Sequence, residues 1–320
     1  MMRWFLIAFL LPWLGLWAEE SAPIGQPEAV DLDQLAHPVQ PFLWEITGGE
    51  LEKASYLFGT IHMSDERVVK LHPAAKTAYD DADTFAAEID LSLANQLKMS
   101  QVFVRQDKKP LKSLIGEDLY DAVNVELKAI NPGLDLKPFD TFQVWALAIT
   151  LPMLEEQLKG KPALDPRLWE HAGRSGKELW ALETIEQQLG GIKSLNLAEQ
   201  QMWLSITVAQ LKEAREEGVE VLGELRDAYL VGSAEGLLAI IDTQRSEQKL
   251  SPQERALEEK FLKLMIDKRN EQMAQSIINK LEKNPSKSHF IAAGTLHFLG
   301  DQKIQKFLIE AGYTVTRITH

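Results

Sequence analysis

The pattern of apolar and polar positions divides the chain into short apolar runs near both ends, with helical periodicity between them. Phe42 to Thr47 and Ser55 to Phe58 read as strands around a Gly48-Gly49 turn, and the second runs straight into Gly59-Thr60-Ile61-His62. Pro73 to Asp81 starts like a helix with Pro in its first turn, and Thr84 to Ile89 is a short apolar strand that carries Glu88 and is followed by Asp90. Leu91 to Val104 and Gly116 to Ala129 have helical spacing, and Asn131-Pro132-Gly133 is a stop. Phe139 to Leu158 reads as a helix interrupted near Pro152, and Asp165-Pro166 as an N-cap followed by Pro, opening a helix that ends near Gly173.

Glu178 to Leu182 is a further apolar strand, and it ends in Glu183. From Leu197 to Leu281 the spacing is helical almost throughout, with breaks near Gly218, Gly232 and Ser251-Pro252, which reads as a long helical insertion. His289 to Ala293 returns to strand, Gly300 to Ala311 is helix, and Tyr313 to Ile318 is the last strand. Strands alternating with helices at both ends predict an α/β fold. Its mixed, largely parallel central sheet is flanked by helices, with the insertion between the N-terminal and C-terminal halves of the sheet.

The first segment has Arg3, an apolar stretch from Trp4 to Trp17, and Ala18 before an acidic start, which is the layout of a signal peptide over 1–18. The apolar run is shorter than the roughly 20 residues that span a bilayer, and Pro12 interrupts it. Residues 19–41 are rich in Pro, Ala, Gly and acids and read as a linker, leaving 42–320 as a single domain. A periplasmic or secreted location follows, with membrane contact only through the leader if it is not cleaved.

A chain of 320 residues with 45% hydrophobic and 25% charged positions has globular proportions. The formal net charge of −13 disfavours nucleic acid as a partner, because a phosphate-backbone binder needs a surplus of cations. With no cysteine, disulfides and thiolate chemistry are excluded, and any metal site must use His, Asp and Glu. Gly-x-Ser-x-Gly, Walker, Gly-x-Gly-x-x-Gly and His-Glu-x-x-His patterns are all missing, which disfavours serine hydrolases, P-loop enzymes and zincins.

Four predicted strands end in groups that bind metal or move protons: His62, Glu88, Glu183 and His297. In an open α/β sheet the carboxyl ends of parallel strands line the ligand crevice, so these residues are expected to meet. Gly59-Thr60-Ile61-His62 and Gly294-Thr295-Leu296-His297 are near-copies, each after an apolar strand. Two imidazoles with a carboxylate are an ordinary donor set for Zn²⁺ or Mn²⁺ and leave a position open for water. Glu88 and Glu183 could instead cap the helices that follow them, and a lone His at a strand end can be purely structural. Arg269 lies among Met265, Ile266 and Met273 on an apolar face and needs a carboxylate partner, with Asn270 beside it. The remaining histidines and the Glu155-Glu156 pair read as structural or solvated.

Several ordered segments together resemble the TraB/GumN family: WEI at Trp44, YLFGTIH at Tyr56, AAEIDL, ALETIEQQ from Ala181, KRNEQMAQSI from Lys268, and FIAAGTLHFLGDQKIQKFLIEAGYTV from Phe290. The resemblance runs from about Phe42 to Ile318. It implies a fold related to erythromycin esterase and the haem-binding ChaN-like proteins, and the metal-dependent peptidase activity of Tiki-type members on peptides or proteins. Carried over by motif, His62, Glu88 and His297 take the role of metal ligands for Mn, Co or Zn, and Glu183, Arg269 and Asn270 that of assisting catalytic groups. One departure is the second motif, often Gly-x-Gly-His and here Gly-Thr-Leu-His, a bulkier loop at the same spacing. The competing expectations are a non-catalytic peptide- or haem-sequestering protein using the same crevice, and a metal-free esterase with His as general base.

Overall fold

The structure, a computed structural model, describes residues 31–107, 109–247 and 250–320, so the signal-peptide reading of 1–18 lies outside the described residues. Six strands form one sheet: β1 (Leu43–Gly48), β2 (Ser55–Thr60), β3 (Thr84–Ala87), β4 (Glu178–Ala181), β5 (His289–Gly294) and β6 (Tyr313–Ile318). Their order is β4-β3-β5-β2-β1-β6. β2, β3, β4 and β5 pair parallel, while β1 pairs antiparallel with both β2 and β6. The expected α/β fold with a mixed, largely parallel sheet is the one observed.

Burial explains why these segments are strands. Every residue of β3 and β5 is buried, as expected of central parallel strands covered on both faces, and both read as unbroken apolar runs rather than alternating ones. The hairpin turn is longer than two residues, with Gly48 and Gly49 both at positive φ, where only glycine sits without strain.

The segment between β4 and β5 is helical, and Gly218 and Gly232 end helices in the left-handed conformation, as their positions in the sequence predicted. Ser251 caps the helix Pro252–Leu262, which passes through a π-helical turn, Lys263–Asp267, into the helix Lys268–Lys283. Two apolar cores result. One surrounds the sheet, with Phe85, Phe290 and Ile291 at its centre, and the other lies among helices around Trp145, Leu204 and Phe261. Among the described residues no helix is long and apolar enough to cross a membrane.

Three local expectations need correction. The helix Val144–Leu158 runs through Pro152 without a break, because the buried apolar residues on both sides of the proline, Leu151 and Leu154 among them, hold it by packing. Asp165 is not an N-cap: the helix Leu164–Arg174 is preceded by Ala163, and Asp165 is its second residue, turned into the protein. Glu156 is not a solvated helix residue, since it accepts from the backbone N–H and hydroxyl of Ser64. The described part of the predicted linker, 31–41, is tied to the domain, with Val39 donating to the Leu230 carbonyl and the Pro41 carbonyl accepting from Arg317.

Candidate active site

The carboxyl ends of the four parallel strands converge. β2 and β5 lie side by side with Thr60 opposite Gly294, so the two Gly-Thr-x-His segments are neighbours offset by one residue. Close approach, not φ, explains both glycines, strictly at Gly59 and more mildly at Gly294. A Cβ on Gly59 would stand 2.8 Å from Cβ of Phe42 and 3.2 Å from Cα of Thr295, and one on Gly294 would stand 3.2 Å from Oε1 of Glu88. At the ends of β3 and β4 the ladder continues, with Glu183 N–H donating to the Glu88 carbonyl, so these two acids also emerge next to each other.

Glu88, Glu183 and Arg269 form one buried cluster. Arg269 Nη2 donates to Glu88 Oε2 at 2.6 Å, Nε donates to Glu183 Oε1 at 3.0 Å, and Nη1 donates to the Met265 carbonyl in the π-helical turn. The sequence expectation that Arg269 needs a carboxylate is met twice. Glu183 does not cap the following helix: Thr184 does, in a capping box with Gln187. Glu88 also accepts from Gly294 N–H at 2.7 Å and from Gln188 at 3.1 Å. Burial is the largest single influence on Glu88 and pushes it up, but Arg269, the two histidines and the Gly294 N–H together outweigh it and hold the carboxyl well below its usual range. Glu183 is pushed up, because burial there exceeds the pull of Arg269 and the neighbouring Glu88 adds repulsion. Burial works against the Arg269 charge, yet the two carboxylates keep it firmly protonated.

The two histidines are held by different partners. Asn270 Nδ2 donates to the Gln302 carbonyl, which can only accept, so Asn270 Oδ1 faces His297 Nδ1 at 2.6 Å. Nδ1 must then carry the proton, and Nε2 is left as a bare acceptor 3.7 Å from Glu88 Oε1. Burial keeps this ring neutral, lowering its pKa to about 3. His62 Nδ1 instead pairs with Asp165 Oδ2 at 2.9 Å, while Asp165 Oδ1 accepts from the Thr60 hydroxyl at 2.6 Å. Asp165 pushes His62 up to about 9. With 51% of the side chain exposed, water softens that pull.

Asp165 was hidden in the sequence behind its resemblance to a cap. Helical spacing nevertheless places it beside Leu164, Leu168 and Ala172 on one buried face. An acid on an apolar face is the same signal that exposed Arg269. Of the other histidines, His72 caps the helix Pro73–Asp81, and His289 is buried against Thr84 at the opposite end of the strands.

His62, Glu88, Arg269 and His297 line a common cavity of about 350 Å³, whose walls come from both apolar cores. Among the described residues, no three His, Asp or Glu side chains are gathered closely enough to hold a metal ion as they stand. The donor chemistry nevertheless suits a divalent cation. Each imidazole gives its Nδ1–H to an oxygen acceptor, the arrangement that orients histidine ligands, and Nε2 of His297 faces a carboxylate with no proton between two acceptors. The fit is one of donor type and orientation, not of a closed cage.

The TIKI1 metalloprotease of Xenopus tropicalis is 28% identical over 97% of this chain and 67% of its own length. The TIKI2 metalloproteases of Danio rerio and Xenopus tropicalis are 26% and 28% identical over 86% of this chain, which spans only 60% and 59% of their lengths. No solved structure matches the chain. The sequence model of the TraB/PrgY/gumN family matches residues 42–317, nearly the whole of the described domain, and the chain therefore belongs to that family.

Proposed function

We propose that this protein is an exported metal-dependent hydrolase of peptides or proteins. The observation that carries the reading is the pair of Gly-Thr-x-His strand ends, whose imidazoles are each held at Nδ1 and line one cleft with Glu88. The metalloprotease relatives and the signal-peptide layout of the first 18 residues agree with it.

In this reading His62, Glu88 and His297 would hold a divalent Mn, Co or Zn ion. Such an ion acidifies water to a nucleophile near neutral pH and polarises a carbonyl oxygen. Asp165 and Asn270 fix the rotation of the two imidazoles and keep their Nδ1 protons, so that Nε2 is the donor atom in both. Arg269 is a cleft residue that anchors Glu88 and places positive charge where an oxyanion would develop. Glu183, whose side chain is fully buried, acts through Arg269 as a positioning residue. Because Asp165 favours the doubly protonated form of His62, loading an ion at neutral pH displaces a proton.

The test is a peptide-library digest by protein stripped with chelator and then given Mn²⁺, Co²⁺ or Zn²⁺. Turnover should appear only with metal and vanish in His62→Ala and His297→Ala, with circular dichroism unchanged. Full turnover in the chelated sample would sink the metal-dependent reading. It would instead favour a second one, to which the His62–Asp165 pair is suited once the raised pKa of the ring is passed: neutral His62 takes a proton from water as general base while Asp165 steadies the imidazolium, so turnover would rise with pH.

A further inference from the structure

The cleft has two lobes that meet at the candidate centre. His62, Glu88, Met153, Gln157 and Gln188 line both. One lobe, of about 370 Å³, is mixed, with the polar and charged Ser64, Glu156, Lys161 and Asp165 beside apolar Ile89, Leu91 and Pro166 in its wall. The other, of about 350 Å³, reaches His297 and Arg269 at one end and is otherwise lined by large apolar side chains, among them Met63, Met99, Phe103, Ile149, Leu189 and Trp203.

From this division we infer that the apolar lobe is the specificity pocket. It takes one large apolar or aromatic side chain of the substrate, next to the bond that is cleaved, and the mixed lobe, which carries the charged side chains, holds the chain on the other side. The inference rests on the hydrolase reading and deepens it. A carbonyl placed against the His62 and His297 edge has a flanking side chain within reach of the lobe, because the same cavity contains both. The lobe is large enough for a ring or a branched aliphatic group and offers few polar partners, so a charged side chain entering it would lose its hydration. Met63, Met99 and Met153 are unbranched and polarisable, which suits a wall that accepts Leu, Phe and Met alike rather than one shape.

Half-buried Ile149 provides a handle away from the charged centre. The experiment uses the metal-loaded full chain and octapeptides that differ at one central position, Phe, Leu, Ala or Asp. The parent protein should cleave the Phe and Leu peptides with kcat/KM at least about tenfold above Ala, and further above Asp. Ile149→Trp, which fills the lobe, should cut the Phe-to-Ala ratio at least about tenfold, and Ile149→Ala should shift preference toward bulkier groups. If Ile149→Trp does not fold, Met99→Glu at a half-exposed position serves instead and should depress the same ratio. Cleavage with a ratio near one, or a ratio that neither variant moves, overturns the pocket assignment and leaves the hydrolase reading intact. If no peptide is cleaved under any metal condition, the hydrolase reading fails, and calorimetry with N-acetylphenylalaninamide decides the lobe. Binding that Ile149→Trp abolishes upholds an apolar pocket, and absence of binding overturns that as well.

Discussion

Asp165 and Asn270 do parallel work on the two histidines from unrelated parts of the chain. Asp165 comes from the first turn of a helix and Asn270 from the start of another, and each engages Nδ1 of its ring and not Nε2. They differ in charge, and the rings differ accordingly: His62 is drawn toward the protonated form and His297 is kept neutral by burial. Replacing Asp165 with Asn keeps the shape and removes the charge. For a partner that orients a histidine ligand, kcat/KM should fall about 10- to 100-fold while the protein stays folded. Steady-state kinetics with metal titration checks this, and unchanged kinetics would mean that His62 needs no such partner. At this scale the histidines and acids were legible because polar residues at the ends of apolar strands stand out. Asp165 was not, because Asp-Pro is also the signature of a helix start.

The helix Lys268–Lys283 supplies both Arg269 and Asn270, and the π-helical turn before it decides where they point. Widening the helix at Lys263–Asp267 leaves the Met265 carbonyl to accept from Arg269, which holds the guanidinium between Glu88 and Glu183. Such turns recur at functional sites. Arg269→Met removes the only cation of this cluster and leaves two buried carboxylates side by side. Urea denaturation at neutral pH should show a loss of about 3–5 kcal/mol, the usual cost of leaving a buried charge unpaired. A change below about 1 kcal/mol would show that Arg269 is not what compensates the buried carboxylate charge. Periodicity revealed the helix and the buried arginine in the sequence. It could not reveal the π turn, which exists because tertiary contacts favour it over the regular ladder, nor the continuity of the helix through Pro152.

Across the whole molecule the sheet separates two ends with different chemistry. The carboxyl ends of the strands carry the charged cleft. At the amino ends, His289 is fully buried beside Thr84 and Trp180, with Nδ1 against the Thr84 hydroxyl. Burial lowers its pKa, so the folded protein keeps it neutral while the unfolded chain takes up a proton below about 6.5. The folded state is therefore favoured fully above that value and loses stability as pH falls from there toward the depressed folded pKa. Denaturation of chelated protein from pH 7.5 to 4.5 should show this decline, to which buried, neutral His297 contributes in the same direction, and His289→Gln should make it shallower without abolishing it; an equally steep slope in the variant would assign the acid lability to His297 and other groups. By itself the sequence determined the α/β class, the parallel strand ends, the paired Gly-Thr-x-His segments and the need of Arg269 for an acid, because these follow from local periodicity and from the cost of burying charge. Only the tertiary structure decided that one arginine serves both Glu88 and Glu183, that Asp165 turns inward to His62, and that the cleft divides into a mixed lobe with charged side chains and a lobe of large apolar ones. Those outcomes depend on contacts between residues far apart in the chain, 86 positions for Arg269 and Glu183, 103 for His62 and Asp165 and 181 for Arg269 and Glu88, which no local pattern encodes.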